Sequence, residues 1–164
     1  MKWSKLKEMI ESGFANSVKS RIKIFSTRYT IASYSMARAW ITLDNHEIIN
    51  FSTIESEQIH KAVYNEVTGS KCASHPSSPI DERDPELILE KGEFSRQDFH
   101  EACFKFLNIN FNDALRHANP IVQMLAFFDR RFGKRRLNEF SEESLHPLSL
   151  WALRTRKTLE KNPI

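Results

Sequence analysis

The chain has little of the material that marks most specialised classes of protein. It holds two cysteines, Cys72 and Cys103, among 164 residues, too few for the disulfide framework of a small secreted domain, so both thiols are expected to be free. No apolar run approaches the roughly 18 residues that a membrane-spanning helix needs. The opening MKWSKLKEMIES lacks the apolar centre and small-residue cleavage site of a signal peptide. A cytoplasmic protein with no membrane association is the expectation. Only four glycines are present, and none builds a phosphate-binding loop. Gly133 and Lys134 mimic the end of one, but Phe128 stands where the earlier glycine belongs and Arg135 where the Ser or Thr belongs. No serine sits in a glycine-rich elbow, and no Asp and Glu cluster marks a strand end. His100 and Cys103 lie one helical turn apart, yet no second ligand pair of suitable spacing accompanies them. No catalytic residue, cofactor or metal site is therefore assigned from the sequence, and His60, His117 and His146 read as helix-flank or capping residues.

What the chain does have is enough apolar side chain, 40% of its residues, to fill one sizeable core, so residues 1–164 are read as a single domain. The centre of that core is predicted in NPIVQMLAFFDRRFGKRRL, from Asn119 to Leu137. Asn119 can cap a helix, Pro120 suits its first position, and Gly133 could supply a left-handed exit. At 100° per residue Ile121, Val122, Met124, Leu125, Ala126, Phe128 and Phe132 cover too wide an arc for a surface helix. Asp129 falls inside that arc. Burying a carboxylate alone would cost several kcal/mol, so a structural ion pair is expected, with Arg135 or Arg136 folding back to reach it. Arg130 and Arg131 fall outside the arc, toward water. Phe127 projects with Gln123, away from the centre of the core.

Elsewhere the pattern changes from helix to strand and back. Trp3, Leu6, Met9 and Ile10 recur at helical spacing with a Lys7–Glu11 pair, and Gly13 ends that helix. Residues 20–29 and 38–44 are rich in β-branched and aromatic side chains, and LDNHEI predicts a hairpin with Asn45 and His46 in its turn, pairing Trp40 with Phe51, Thr42 with Ile49 and Leu43 with Ile48. Ser52 and Glu55 form a capping box for a helix reaching Gly69, and a proline-bearing flexible loop is expected around residues 70–83. Asp84, Pro85 and Gly92 frame a short helix. Phe94, Ser95, Asp98 and Phe99 start a longer one with Phe99, Ala102, Cys103 and Phe106 inward, and residues 111–118 form another short one. A last helix begins at His146 and Pro147, burying Leu148, Trp151, Ala152 and Leu159 and turning Arg154, Arg156 and Lys157 to water. The fold class is α+β: a small antiparallel sheet of about three strands near the N-terminus, packed on a larger helical C-terminal part.

The stretches MKWSKLK, FSTRY, EKGEFSRQDFHEA, FLN, NPI and DRRFGKRRL, spread from Met1 to about Trp151, resemble a family of small bacterial proteins of unknown function. The resemblance implies a single-domain cytoplasmic protein and carries over no functional residue.

Charge is the remaining signal. Residues 1–38 carry eight Lys or Arg against two Glu and residues 130–164 nine against four, whereas residues 81–101 carry eight acids against three bases. Arg130, Arg131, Lys134, Arg135 and Arg136 place five cations within seven residues. Cations at a helix C-terminus are favoured by its dipole whether or not they bind anything. With no catalytic constellation visible, the split charge points first to a non-enzymatic interaction protein, immunity-like or regulatory, that meets a protein partner through a charged surface. The alternative is a nucleic-acid-binding protein using the block around Lys134. An enzyme whose residues converge only in space is the third reading.

Overall fold

The computed structural model describes residues 1–31, 34–52, 87–90 and 92–161. The expected helix up to Gly69, the loop at 70–83, Cys72, His60 and the start of the element framed by Asp84 and Pro85 lie outside them.

Helix α1 (Trp3–Gly13) buries Leu6 and Ile10, and α2 (Asn16–Lys19) buries Val18. Three strands follow, β1 (Ile22–Ile31), β2 (Tyr34–Leu43) and β3 (His46–Ser52), forming an antiparallel sheet in the order β1-β2-β3. The helical part comprises α3 (Arg96–Asn108), α4 (Phe111–Leu115), α5 (Pro120–Phe128), α6 (Lys134–Glu139) and α7 (Pro147–Lys161). The class is α+β, with the sheet near the N-terminus.

The hairpin departs from its predicted register. Asp44 and Asn45 both have positive φ, 51° and 67°, so they form the two-residue turn whose twist suits a hairpin, and Leu43 pairs with His46. The ladder then shifts between Ile41 and Thr42, pairing Ile41 with Ile49 and Ala39 with Phe51. A one-residue slip exchanges the faces of a strand. Phe51 therefore enters the core beside Ala39 and Ile41, while Trp40, opposite Asn50, faces outward and stacks on Phe25 at 5.2 Å. The edge of β1 is closed by α1. Glu11 accepts the Ile24 N–H at 2.9 Å and Lys7 donates to the Ile24 carbonyl at 2.7 Å, so the predicted ion pair of 3.3 Å satisfies an otherwise open strand edge.

Helix α3 follows its prediction closely: Ser95 and Asp98 make the capping box, and Phe99, Ala102, Cys103 and Phe106 are buried. Phe99 stacks on Phe51 at 4.6 Å and so joins helix to sheet. Residues 87–90 form bends and no helix; Gly92, at φ 75°, and the Glu93 N–H to Glu90 carbonyl bond make a tight turn there instead.

The central helix is shorter than predicted. It starts as expected, with Asn119 accepting the Ile121 N–H and Pro120 first, but stops at Phe128. Gly133 is not a left-handed exit. Its φ is −66° and it precedes α6 as the N-cap. Within α5 every residue except Gln123 is buried, Phe127 included at 0% exposure. The expected orientation of Phe127 toward water is thus incorrect. A second aromatic cluster takes it up: Phe132 lies 5.5 Å and Phe140 5.1 Å from its ring, both supplied by the chain after the break.

Candidate partner-binding site

The segment after α5 is shaped by Asp129, which is buried as expected but lies at the C-cap of the helix instead of inside it. Its backbone is held against the end of α1: the Arg130 N–H donates to the Gly13 carbonyl and the Ala15 N–H to the Phe128 carbonyl, each at 2.9 Å. Its carboxylate accepts three bonds from one residue, the Arg131 backbone N–H at 2.7 Å, Nε at 2.9 Å and Nη2 at 2.8 Å. The partner is Arg131, not Arg135 or Arg136. A residue two positions on reaches the carboxylate without the chain folding back, because the helix has already ended. Arg131 is consequently consumed by structure. Its guanidinium also lies 4.6 Å over the Phe111 ring, and the Asp129 hydrogen bonds raise its pKa.

The other four cations of the block separate. Arg135 reaches back to Glu139 at 3.0 Å on the exposed side of α6, and Arg136 donates to Asn112 at 3.0 Å. Lys134, 73% exposed, lies 3.2 Å from Glu160. Arg130 is exposed, and its side chain has no hydrogen-bond or ion-pair partner among the described residues. Three of the five are therefore in ion pairs, a weaker field than the sequence density suggests.

Arg130 and Lys134 nevertheless share one feature. They line a cleft of about 600 Å³ between α2, the 130–134 turn and the end of α7, together with Ser17, Arg21, Arg156 and Glu160. Arg21 is paired with Asp44. Arg156, expected on the solvent side of α7, is 3% exposed. It follows Leu148 and Ala152 at four-residue steps, on the same inward stripe. Its Nη2 contacts Glu160 Oε1 at 2.7 Å, while Nε and Nη1 have no hydrogen-bond partner among the described residues. Burial lowers the Arg156 pKa, and the charges of Glu160 and Asp129 oppose that effect. Glu160 is the meeting point. Ser17 Oγ donates to Oε1 at 2.6 Å, and Arg156 and Lys134 complete a cage of three donors from α2, α6 and α7. Burial pushes the Glu160 carboxyl up, but those three donors outweigh it and the net shift is downward, so the group is an anion at neutral pH. Ser17, Arg21, Arg156 and Glu160 were not identified as site residues from sequence.

The histidines serve as connectors. His146 Nδ1 accepts the Leu148 N–H at 3.0 Å and so caps the start of α7, whereas His117 Nδ1 accepts the Asn119 N–H at 3.0 Å in the turn before α5. His100 Nε2 lies 2.8 Å from Ser26 Oγ, which also accepts from Arg96 Nε at 2.8 Å. Burial and the neighbouring Arg96 lower the His100 pKa to about 4. The imidazole is thus a neutral acceptor and a feeble base at pH 7, and this hydroxyl–imidazole contact ties α3 to β1. Burial pushes the Cys103 thiol up, which leaves it unreactive in the core. Among the described residues no group of three or more His, Cys, Asp or Glu could hold a metal ion, and no helix is long and apolar enough to cross a membrane.

Comparison with known families decides where the chain belongs, because the description of the SF0329 protein family matches residues 2–157. The chain belongs to the SF0329 protein family. The match covers the sheet and the cleft residues from Ala15 to Arg156, and ends before Glu160. No curated protein and no solved structure matches the chain.

Proposed function

We propose that this member of the SF0329 family is a non-enzymatic interaction protein, bacterial and cytoplasmic as the sequence resemblance implies, that takes hold of a partner protein by an acidic segment laid across the cleft at Arg130. The observation that carries this reading is the convergence at one concavity of Arg21, Arg130, Lys134 and Arg156, from three separate segments, which stay in excess of the two acids they meet, Asp44 and Glu160. A concave cationic site focuses its field on an approaching anion and steers association. Nucleic acid is the less favoured partner, because Arg131 and Arg135 are already paired with Asp129 and Glu139 and the remaining cations gather in one cleft. A continuous phosphate backbone requires a row of available cations.

The test is a pull-down from the source cells with the tagged full chain and its Arg130→Glu variant. A protein partner captured by the parent and lost by the variant is the expected result. A partner set unchanged by Arg130→Glu would refute the cleft as the docking site. Recovery of nucleic acid released between low and moderate salt would refute the protein partner in favour of the alternative.

A further inference from the structure

The cage around Glu160 is a set of donors that holds one carboxylate, supplied by the chain itself. Donors from three elements converge on the two oxygens: Ser17 Oγ and Arg156 Nη2 on Oε1, and Lys134 Nζ on Oε2. The Glu160 side chain, 15% exposed, lies between the exposed Lys134 and the buried Arg156, so it occupies the donors that a carboxylate entering the cleft would need. Arg156 meanwhile keeps two buried donors without a hydrogen-bond partner among the described residues. A guanidinium offers five N–H groups in a fork that suits a carboxylate held by two parallel bonds, and one oxygen of Glu160 uses only part of it. The position of Glu160 in the last turn of α7 favours release, since helix ends open more easily than their middles.

We propose that Glu160 is an internal plug, displaced when an Asp or Glu carboxylate of the partner's acidic segment takes its place among Ser17, Lys134 and Arg156. The proposal rests on the docking reading above and specifies its chemistry. Arg130, whose side chain has no partner among the described residues, makes the first contact at the rim; Lys134 is shared during the exchange; the released Glu160 turns to water. A receptor that is blocked most of the time binds more weakly by the fraction of time it is open. Removing the plug's charge therefore strengthens binding, even though no new contact is made.

The experiment measures anisotropy of a fluorescein-labelled hexaglutamate peptide with the full chain at fixed ionic strength, comparing the parent with Glu160→Gln, Glu139→Gln and Arg130→Glu. Glutamine keeps the shape of Glu160 and can still accept from Ser17 and Arg156. Glu139→Gln adds the same charge to the basic block without opening the cleft. If Glu160 holds the donors about nine-tenths of the time, Glu160→Gln binds about tenfold tighter than the parent, whereas Glu139→Gln gains less than about threefold, the modest effect of one exposed charge. Equal gains for the two would show that only net charge matters and would overturn the plug; if Arg130→Glu still weakened binding, the docking reading would survive. No binding by any variant would overturn both. Should Glu160→Gln fail to fold, the Arg156 Nε–H resonance of the parent decides the matter: a shift on peptide addition supports the exchange, and a resonance unmoved at saturation rejects it.

Discussion

Replacing Asp129 tests the joint on which both the core and the cleft depend. The carboxylate, 3% exposed, accepts three hydrogen bonds from Arg131 at 2.7–2.9 Å. Hydrogen bonds to charged groups contribute about 1.5–3 kcal/mol each, but the Arg131 side chain is 52% exposed and can be rehydrated, which brings the guanidinium share toward the surface-pair value of about 1 kcal/mol. The Arg131 backbone N–H, left without its acceptor, adds about 1–3 kcal/mol. Asp129→Ala should therefore destabilise the fold by about 3 kcal/mol, read from the shift of a urea midpoint at unchanged m-value. Asp129→Asn keeps an acceptor for the backbone and should cost about half as much. Arg131→Ala leaves the buried carboxylate without its cation and should cost about 3–5 kcal/mol. The double variant should fall short of the sum by about 1–3 kcal/mol, the coupling of residues in direct contact. An Asp129→Ala protein within about 0.5 kcal/mol of the parent would refute the buried pair.

The two neighbouring phenylalanines should respond alike: Phe127→Ala and Phe128→Ala, both at most 1% exposed, should each cost about 3–5 kcal/mol in the same urea melts; a Phe127 variant at parental stability would show that side turned to water. His100, with its pKa lowered to about 4 from 6.5, stays neutral in the fold at pH values where the unfolded chain protonates it. Its contribution is thus fully present above pH 6.5 and is lost as pH falls toward about 4, so its NMR titration midpoint should lie near 4 and His100→Gln should flatten the slope of stability across that window. In the hairpin turn, Asn45→Ala should lower stability by about 1 kcal/mol because its φ of 67° is strained for alanine, while Asn45→Gly should leave the melting temperature at or above that of the parent.

Sequence was most informative where one periodicity acted alone. Helix α3 could be read in full because its capping box and its stripe of Phe99, Ala102, Cys103 and Phe106 point to the same face. Asp129 is legible as buried because an apolar arc surrounds it, but the helix ends at Phe128 and Gly133, the local stop signal, caps the next helix instead. The actual stop is a backbone pairing with Gly13 and Ala15, more than 100 residues away in the chain, and no local signal announces such a contact. The hairpin erred for a different reason. Asp44 and Asn45 both tolerate positive φ, as does the Asn45 of the predicted turn, and the bulge that restores Phe51 to the core is set by packing. Arg156 was within reach: its four-residue steps from Leu148 and Ala152 place it inward, but a cation on a stripe is ordinarily read as the stripe's edge.

The break after α5 also explains how five adjacent cations come to play different roles. Had the helix continued to Gly133, Arg130 and Arg131 would project about 100° apart from one cylinder. Ending it at Phe128 lets Asp129 adopt extended backbone, ψ 142°, beside Phe14, and the Phe132 N–H to Asp129 carbonyl bond of 3.1 Å then turns the chain through Arg130 and Arg131. Arg131 then lies with Asp129 against Phe111, while Arg130 lines the cleft with Arg156 and Glu160. The buried carboxylate thus sorts the basic block into a structural member and a receptive one. A charge on this chain is available to a partner only where the fold has not already supplied its counter-charge, and of the five cations Arg130 is the one for which it has supplied neither an ion pair nor a hydrogen bond among the described residues.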